Sequence, residues 1–460
     1  MEIVTIMKRL LCLLVILLST LSAKAQENPF TGLILINLTE LGAEQNPNRL
    51  YLADVGSGKF AELLVENRGV FAPWFGWSPD GNKFAYLAPA RRGINFELWL
   101  ADASVTNPRP RPPLFELNLT VNAADWNPAL NIIAVGTASQ NARDGLYLVN
   151  ANFENIVFLT EEAIPSNAFL DWAHGGYWLA YSTASGGVNM INANSESVVP
   201  LIPQTATAPT FLPFMGTGWT SDDRYYVFTD DIYTGLYGIT TDGFSRPVDF
   251  GEDFAVDPFA VQIIPHSNRL LTIVDKTVTV FDMDRSRTGF FELDTPNEIT
   301  PEYALLNDKL LLLNSFIIIG EDRFAECLLF NLEDRSLRFI REALNAANWT
   351  HTRCQRLGGG SHIAIMATSE LQPYDNLPPD LLYDLYIVPS SLNGSTFLTD
   401  SYAGFEAAEL GFSTSREQVV FQEGDSLVVY NLRGEKQTLV SLRDLNITSD
   451  FVDFDYAWQP

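Results

Sequence analysis

The 460-residue sequence predicts an all-β chain: a single closed β-propeller of four-stranded blades, eight or nine of them and nine by repeat count, with the first blade completed by the C-terminal strand. Three observations lead there. A Trp-centred phrase recurs along the chain, its anchors are evenly spaced, and a lone strand at the C-terminus matches one missing at the N-terminus. The fullest copy reads Phe75-Gly76-Trp77-Ser78-Pro79-Asp80-Gly81-Asn82-Lys83-Phe84-Ala85-Tyr86. Trp126, Trp172, Trp219 and Trp458 centre further copies, and weaker ones without Trp lie near Ile264, Leu306, Leu357 and Phe412. Successive anchors are 49, 46, 47, 45, 42, 51, 55 and 46 residues apart, close to the period of a four-stranded blade. A unit of this size cannot bury its own apolar face and must stack on its neighbours.

In chain order, residues 1–25 read as a cleaved signal peptide. Lys8 and Arg9 precede an apolar run from Leu10 to Leu21, and Ala23-Lys24-Ala25 has the small-x-small form of a cleavage site. Residues 26–460 form the propeller domain. Leu33 to Asn37, Leu50 to Asp54 and Ala61 to Val65 read as the second, third and fourth strands of a unit without a first strand. The next unit, residues 71–119, shows the full scheme. Its first strand ends at Trp77, and Ser78-Pro79-Asp80-Gly81 makes a tight turn, with Pro79 presetting φ, Asp80 bonding back to the chain and Gly81 accepting a positive φ. Lys83 to Ala88, Glu97 to Ala101 and Pro113 to Leu117 follow as strands. Later units repeat this, with second strands such as Ile132 to Val135, Trp178 to Ser182 and Leu310 to Leu313, and third strands such as Leu146 to Asn150 and Cys327 to Asn331. Asp453 to Trp458 reads as a first strand with nothing after it, free to complete the N-terminal unit and cover a sheet edge. A count of eight would follow if the unit near Leu306 were an elaboration of its neighbour.

Trp77-Ser78-Pro79-Asp80-Gly81, with Lys83, Phe84 and Ala85, resembles the TolB-like (WD-like) propeller repeat, whose pattern is Trp-Ser-Pro-Asp-Gly-Lys-x-Ile-Ala-Phe. The resemblance implies a propeller, and through the bacterial family a place in a cell-envelope assembly. It implies no single activity, because the pattern occurs in binding scaffolds, in polysaccharide lyases and in the propeller domains of prolyl oligopeptidases. A prolyl oligopeptidase also needs a Gly-x-Ser-x-Gly turn between strand and helix. The nearest approach here, Gly358-Gly359-Gly360-Ser361-His362, sits where other units place their first tight turn and reads as a hairpin.

Composition narrows the function further. A formal charge of −27 disfavours nucleic acid and anionic lipid as partners, since both need basic surface. No segment after the leader has the run of apolar residues needed for a membrane helix, so the expected product is a secreted or periplasmic monomer. Cleavage would leave Cys327 and Cys354. Placed on a third strand and on the first strand of the next unit, they read as two small buried thiols, with a disulfide as the alternative. His174, His266, His351 and His362 lack metal-site spacing and read as four unrelated side chains, and Asp230-Asp231, Asp282-x-Asp284 and Asp453-x-Asp455 read as solvated turns; no metal or cofactor is expected. Asn-x-Ser/Thr triplets begin at Asn37, Asn118, Asn348, Asn393 and Asn446.

Binding is the expected role, for a protein or a glycan. The loops between second and third strands and between units should share one face of the disc, opposite the Ser-Pro-Asp-Gly turns. That face collects Arg91, Arg92, Arg143, Asp144, Asp230, Asp231, Tyr233, Arg323 and, on the longest insertion from Glu370 to Tyr383, Tyr374. Forked donors and aromatic rings are suited to recognition. Trp77, Pro79, Asp80, Gly81, Trp126, Trp172, Trp219 and Trp458 are assigned to the repeat scaffold. No residue is assigned a catalytic role. The alternative is a metal-assisted polysaccharide lyase or hydrolase, which requires histidines and carboxylates to converge in one pocket.

Overall fold

The computed structural model describes residues 28–40, 48–66, 74–89, 96–106, 121–137, 144–152, 155–161, 164, 170–183, 188–194, 197–200, 218–229, 236–241, 248–249, 261–378, 381–403, 410–447 and 452–460. The proposed leader, Arg91, Arg92, Arg143, Asp230, Asp231, Tyr233 and the strand expected at 113–117 lie outside these residues.

The described chain is all-β. Nine antiparallel sheets follow one another, eight of four strands and one of three, and all but the first connect only strands that neighbour one another in sequence. The helical residues described are one α-turn, Ile340–Ala343, and two short 3-10 turns. None of the described helices is long and apolar enough to cross a membrane. The first sheet joins Leu33–Glu40, Asn48–Asp54 and Lys59–Glu66 to a strand from the other end of the chain, Val452–Trp458, which pairs antiparallel with Leu33–Glu40 in the register Ile36↔Tyr456. Asn37 sits inside this pairing, 1% exposed, and donates to the Asp455 carboxylate at 3.3 Å, so its sequon is sequestered once the sheet has formed. The unit near Leu306 is a sheet in its own right, Glu298–Leu305, Leu310–Ile319, Asp322–Asn331 and Leu337–Phe339, and not an appendage of its neighbour.

The repeat residues lie where sheets meet. Trp77, Trp126, Trp172 and Trp219 are buried, and Trp458 is half-buried. The Trp77 ring N–H donates to the Ala457 carbonyl at 2.7 Å, Trp126 to Gly76 at 3.0 Å, Trp219 to Asp171 at 3.0 Å and Trp458 to Gly411 at 3.1 Å. In each case the acceptor stands one residue ahead of the neighbouring sheet's own anchor. One indole thus packs against its own strand and ties it to the next sheet. Trp172 is the exception, its ring nitrogen being buried without a hydrogen-bond acceptor.

The tight turns make a second set of ties. Ser78 donates to Asp80 Oδ1 at 2.7 Å, the Asn82 N–H to the same oxygen at 3.0 Å, and Asn131 of the third sheet reaches Asp80 Oδ2 at 2.7 Å. These bonds, the Ser78 hydroxyl foremost, hold the Asp80 carboxyl well below the usual carboxylate range. Thr220, Asp222 and Asn268 repeat the arrangement between the fifth and sixth sheets. Gly81 takes φ 67°, the left-handed conformation that this turn requires. Other junctions use other chemistry: Asn127 to the Gly176 carbonyl, Gln262 to Tyr303, the His362 ring against Phe412, and Gln418 of the ninth sheet to the Pro29 carbonyl ahead of the first.

Cys327 and Cys354 form a disulfide, with Cα atoms 6.0 Å apart, which corrects the expectation of two separate thiols. The reason is the short last strand of the seventh sheet. Leu337–Phe339 pairs only with Leu328 to Phe330, leaving the earlier edge of Asp322–Asn331 open to the eighth sheet. There the Ala325 N–H donates to His351 Nδ1 at 3.2 Å and the Cys327 N–H to the Thr352 hydroxyl at 3.0 Å. Side chains of the next sheet do the work of the missing strand and bring the two sulfurs together.

Candidate functional site

The seventh and eighth sheets enclose a cavity of ≈ 240 Å³ lined by Glu302, Asn314, Phe316, Arg323, Arg353 and Tyr374 among others. Its position follows from strand length. Leu310–Ile319 and Asp322–Asn331 have ten residues each and pair to their tips, with a two-residue turn in which Gly320 takes φ 70°. The hairpin therefore stands above the rest of its sheet. Phe316 lies opposite Ala325 and Ile318 opposite Arg323. Directly opposed residues share a face, so Phe316, Ile318, Arg323 and Ala325 face one way. On the other wall, Thr352 and Arg353 belong to His351–Leu357, and Tyr374 opens the 3-10 turn Tyr374–Asn376 of the long insertion.

The polar groups are arranged in layers. At the surface, the Arg323 guanidinium lies 4.1 Å over the Phe316 ring, its Nε 3.7 Å from the Asp375 carboxylate and without a hydrogen-bond acceptor. Arg353 forms an ion pair with Glu302 and reaches the Tyr374 hydroxyl at 3.4 Å. The Tyr374 ring packs on Phe316 at 5.0 Å. Beneath them, Asn314 accepts the Cys354 N–H at 2.9 Å and donates to the Cys354 carbonyl at 3.1 Å. Behind the cavity lining, next to Ala325 in the same strand, lies Glu326, 1% exposed, paired with Arg341 at 2.7 Å and accepting from Thr352. Burial outweighs these partners and pushes the Glu326 carboxyl up to about 7.

His351 is fully buried in the same wall. Its Nδ1 accepts from Ala325, so its Nε2–H donates to the Gln372 carbonyl at 2.8 Å, and burial lowers its pKa. Both ring nitrogens are engaged, and the imidazole is neutral. His362 pairs with Leu357 while His351 pairs with Thr368, placing the two histidines at opposite ends of one strand pair, roughly 20 Å apart. They do not share a pocket. Among the described residues no group of three or more His, Cys, Asp and Glu side chains is placed to hold a metal ion. A more open cleft of ≈ 510 Å³ lies on the turn side between the fifth and sixth sheets, but its Asp284 is already held by Arg224 at 2.9 Å and by Asn268.

Of the residues nominated from sequence, Arg323 and Tyr374 come together at the cavity. Asp144 precedes the strand Gly145–Asn150 of the third sheet and is not part of it. The sequence reading passed over Phe316, Glu302 and Arg353. A usable signal was present in His351-Thr352-Arg353-Cys354-Gln355-Arg356, a first strand far more polar than one that only packs.

No family model matches the chain, and no curated protein matches it. Among solved structures, a eukaryotic initiation factor aligns over 94% of this chain and 99% of its own at 10% identity with a TM-score of 0.50. The C-terminal WD40 domain of Sif2 aligns over 77% and 93% at 13% identity and 0.41, and an oligogalacturonate lyase in complex with manganese over 76% and 96% at 11% identity and 0.37. At these identities the likeness is one of fold alone. The succession of nine antiparallel sheets of three or four strands supports a β-propeller.

Proposed function

We propose that the chain is a closed nine-bladed, TolB-like propeller, exported by its first 25 residues, that acts as a binding platform in the cell envelope and carries out no chemistry on what it binds. The cavity between the seventh and eighth sheets carries this reading. Two arginines and two aromatic rings stand at its mouth on a rigid floor whose hydrogen-bonding groups are already occupied by one another. His351, with both nitrogens engaged, has none free to move a proton for a ligand. What remains available holds charge and shape, which suits retention. Closure is supported by junctions from each sheet to the next and by the strand shared between the ends of the chain.

The test is to present a panel of envelope proteins and polysaccharides to the native chain and to a variant carrying Arg323→Ala and Tyr374→Ala. Retention and the mass of the retained ligand are then read together. Retention by the native chain, loss in the variant and an unchanged ligand mass are expected. A shortened ligand would instead indicate a hydrolase or lyase, and undiminished retention by the variant would move recognition to another part of the disc. Mass spectrometry of the exported protein should find an N-terminus at Gln26.

A further inference from the structure

We infer that the cavity takes one acidic side chain of a partner polypeptide, flanked in that partner by aliphatic residues that sit on Ile318 and Leu371; this rests on the binding-platform reading above. The charge argument begins with how the two arginines are held now. Each is matched by a carboxylate of its own chain that is more than half exposed, Glu302 at 54% and Asp375 at 56%, so either can swing into water. The Arg323 Nε to Asp375 separation of 3.7 Å is too long for a hydrogen bond, and the buried Nε has no acceptor. Phe316 already fixes the guanidinium, so little side-chain freedom remains to be lost on binding. The Arg323 side chain as a whole is 37% exposed, so an incoming carboxylate can reach the outer end of its guanidinium and make there the charge-assisted bond that Asp375 does not make at Nε. Arg353 on the facing wall can exchange Glu302 for the same group.

Size and rim select the ligand class. At ≈ 240 Å³ the cavity is smaller than the roughly 300–1,000 Å³ usual for small-molecule sites, and it suits a single side chain. Ile318, opposite Arg323 on the cavity face of the hairpin, is 46% exposed, and Leu371 is 80% exposed. Leu371 is held in place between Glu370, whose carbonyl accepts from Thr350, and Gln372, whose carbonyl accepts from His351. Ile318, directly opposite Arg323, and Leu371, three residues before the cavity's Tyr374 in the same insertion, match an aliphatic-acidic-aliphatic segment. A sugar ring would seek an open aromatic face, and Arg323 covers that of Phe316. The net charge of −27 repels a run of acidic residues, so the matching segment carries one carboxylate in an apolar setting.

The probes are acetyl-Ser-Leu-Asp-Leu-Ser-amide, the same peptide with Asn for Asp, and trigalacturonate, each titrated against the full chain by saturation-transfer NMR. The Asp peptide should saturate at or below millimolar concentration, and the Asn peptide should bind at least about tenfold more weakly. Arg323→Gln should weaken the Asp peptide by a similar factor at an unchanged melting temperature, and Ile318→Thr by about threefold. Should Arg323→Gln fail to fold, Arg323→Lys, which keeps the charge and loses the fork, should still lower affinity. Equal binding of the Asp and Asn peptides, no saturation by the Asp peptide, or Arg323 variants that bind like the native chain would overturn the inference. Arg323-dependent binding of trigalacturonate without the peptide would sink this ligand class and leave the platform standing. Silence from all probes and from the panel above would sink both.

Discussion

At the scale of single residues, indoles and carboxylates carry the most consequence. Trp126 both fills an inter-sheet site and donates to Gly76. Trp126→Ala should therefore cost about 3–5 kcal/mol in urea denaturation, whereas Trp126→Phe, which keeps most of the packing, should cost about 1–2 kcal/mol. Asp125, next to it, has its carboxyl raised to about 7 by burial and by Asp171, whose own carboxyl burial raises to about 6. Both groups, and Glu326 likewise, hold a proton in the folded chain at pH values where the unfolded chain has lost it. Their contribution to stability is complete below the unfolded carboxylate range near pH 4 and is lost as pH rises through 6 to 7. Asp80 works in the opposite sense, but only below about pH 4. Melting followed by circular dichroism should thus show a lower melting temperature at pH 8 than at pH 5, and Asp125→Asn, which cannot ionise, should narrow the gap by stabilising the chain at pH 8 by on the order of 1–3 kcal/mol. A gap as wide in the variant as in the native chain would place the pH dependence elsewhere. The sequence showed that Trp126 anchors a repeat; it did not show that the residues before Trp77, Trp172, Phe412 and Trp458 supply acceptors to a neighbouring indole, because a backbone carbonyl leaves no trace in residue identity.

At the scale of elements, the junction of the seventh and eighth sheets departs most from the repeat. The period and the Trp-centred phrase were enough to place most strands, including the pairing of the two ends of the chain. The long hairpin was not legible: its strands were expected to span Leu310 to Leu313 and Cys327 to Asn331, and they extend to Ile319 and back to Asp322. The apolar run Phe316-Ile317-Ile318-Ile319 continues the strand, but Glu321 and Asp322 have the composition of an ordinary loop and hid the two-residue turn at Gly320. Arg353 was missed for the same reason, since its importance comes from a facing hairpin that the periodicity does not reveal. The disulfide closes a separation of 27 residues across this junction. Replacing Cys327 and Cys354 together with Ala should lower stability by about 3–4 kcal/mol in guanidinium titration, and should weaken any ligand held between Arg323 and Arg353 because both walls are then less firmly joined. A double variant with native stability would show that side-chain capping by His351 and Thr352 suffices.

At the scale of the whole molecule, the decisive contact is the one between distant parts of the chain. Removing residues 452–460 strips the strand Val452–Trp458 from the first sheet, along with the Trp458 tie to Gly411 and the Gln459 tie to Gly81. Leu33–Glu40 would then present an open edge. The shortened chain should lose several kcal/mol of stability and associate into dimers or larger species, read by light scattering. A monomer with the native melting temperature would mean that the first sheet stands without its fourth strand. The same pairing also sets a timetable. Asn37 and Asp455 are 418 residues apart, so at roughly 5–20 residues per second a ribosome needs about 20–80 s after making the first before it delivers its partner. Throughout that interval an apolar strand waits with one edge unpaired, long enough for a chaperone to intercept it. The first sheet is therefore the last to mature, and it is where slowed synthesis would first appear as aggregation.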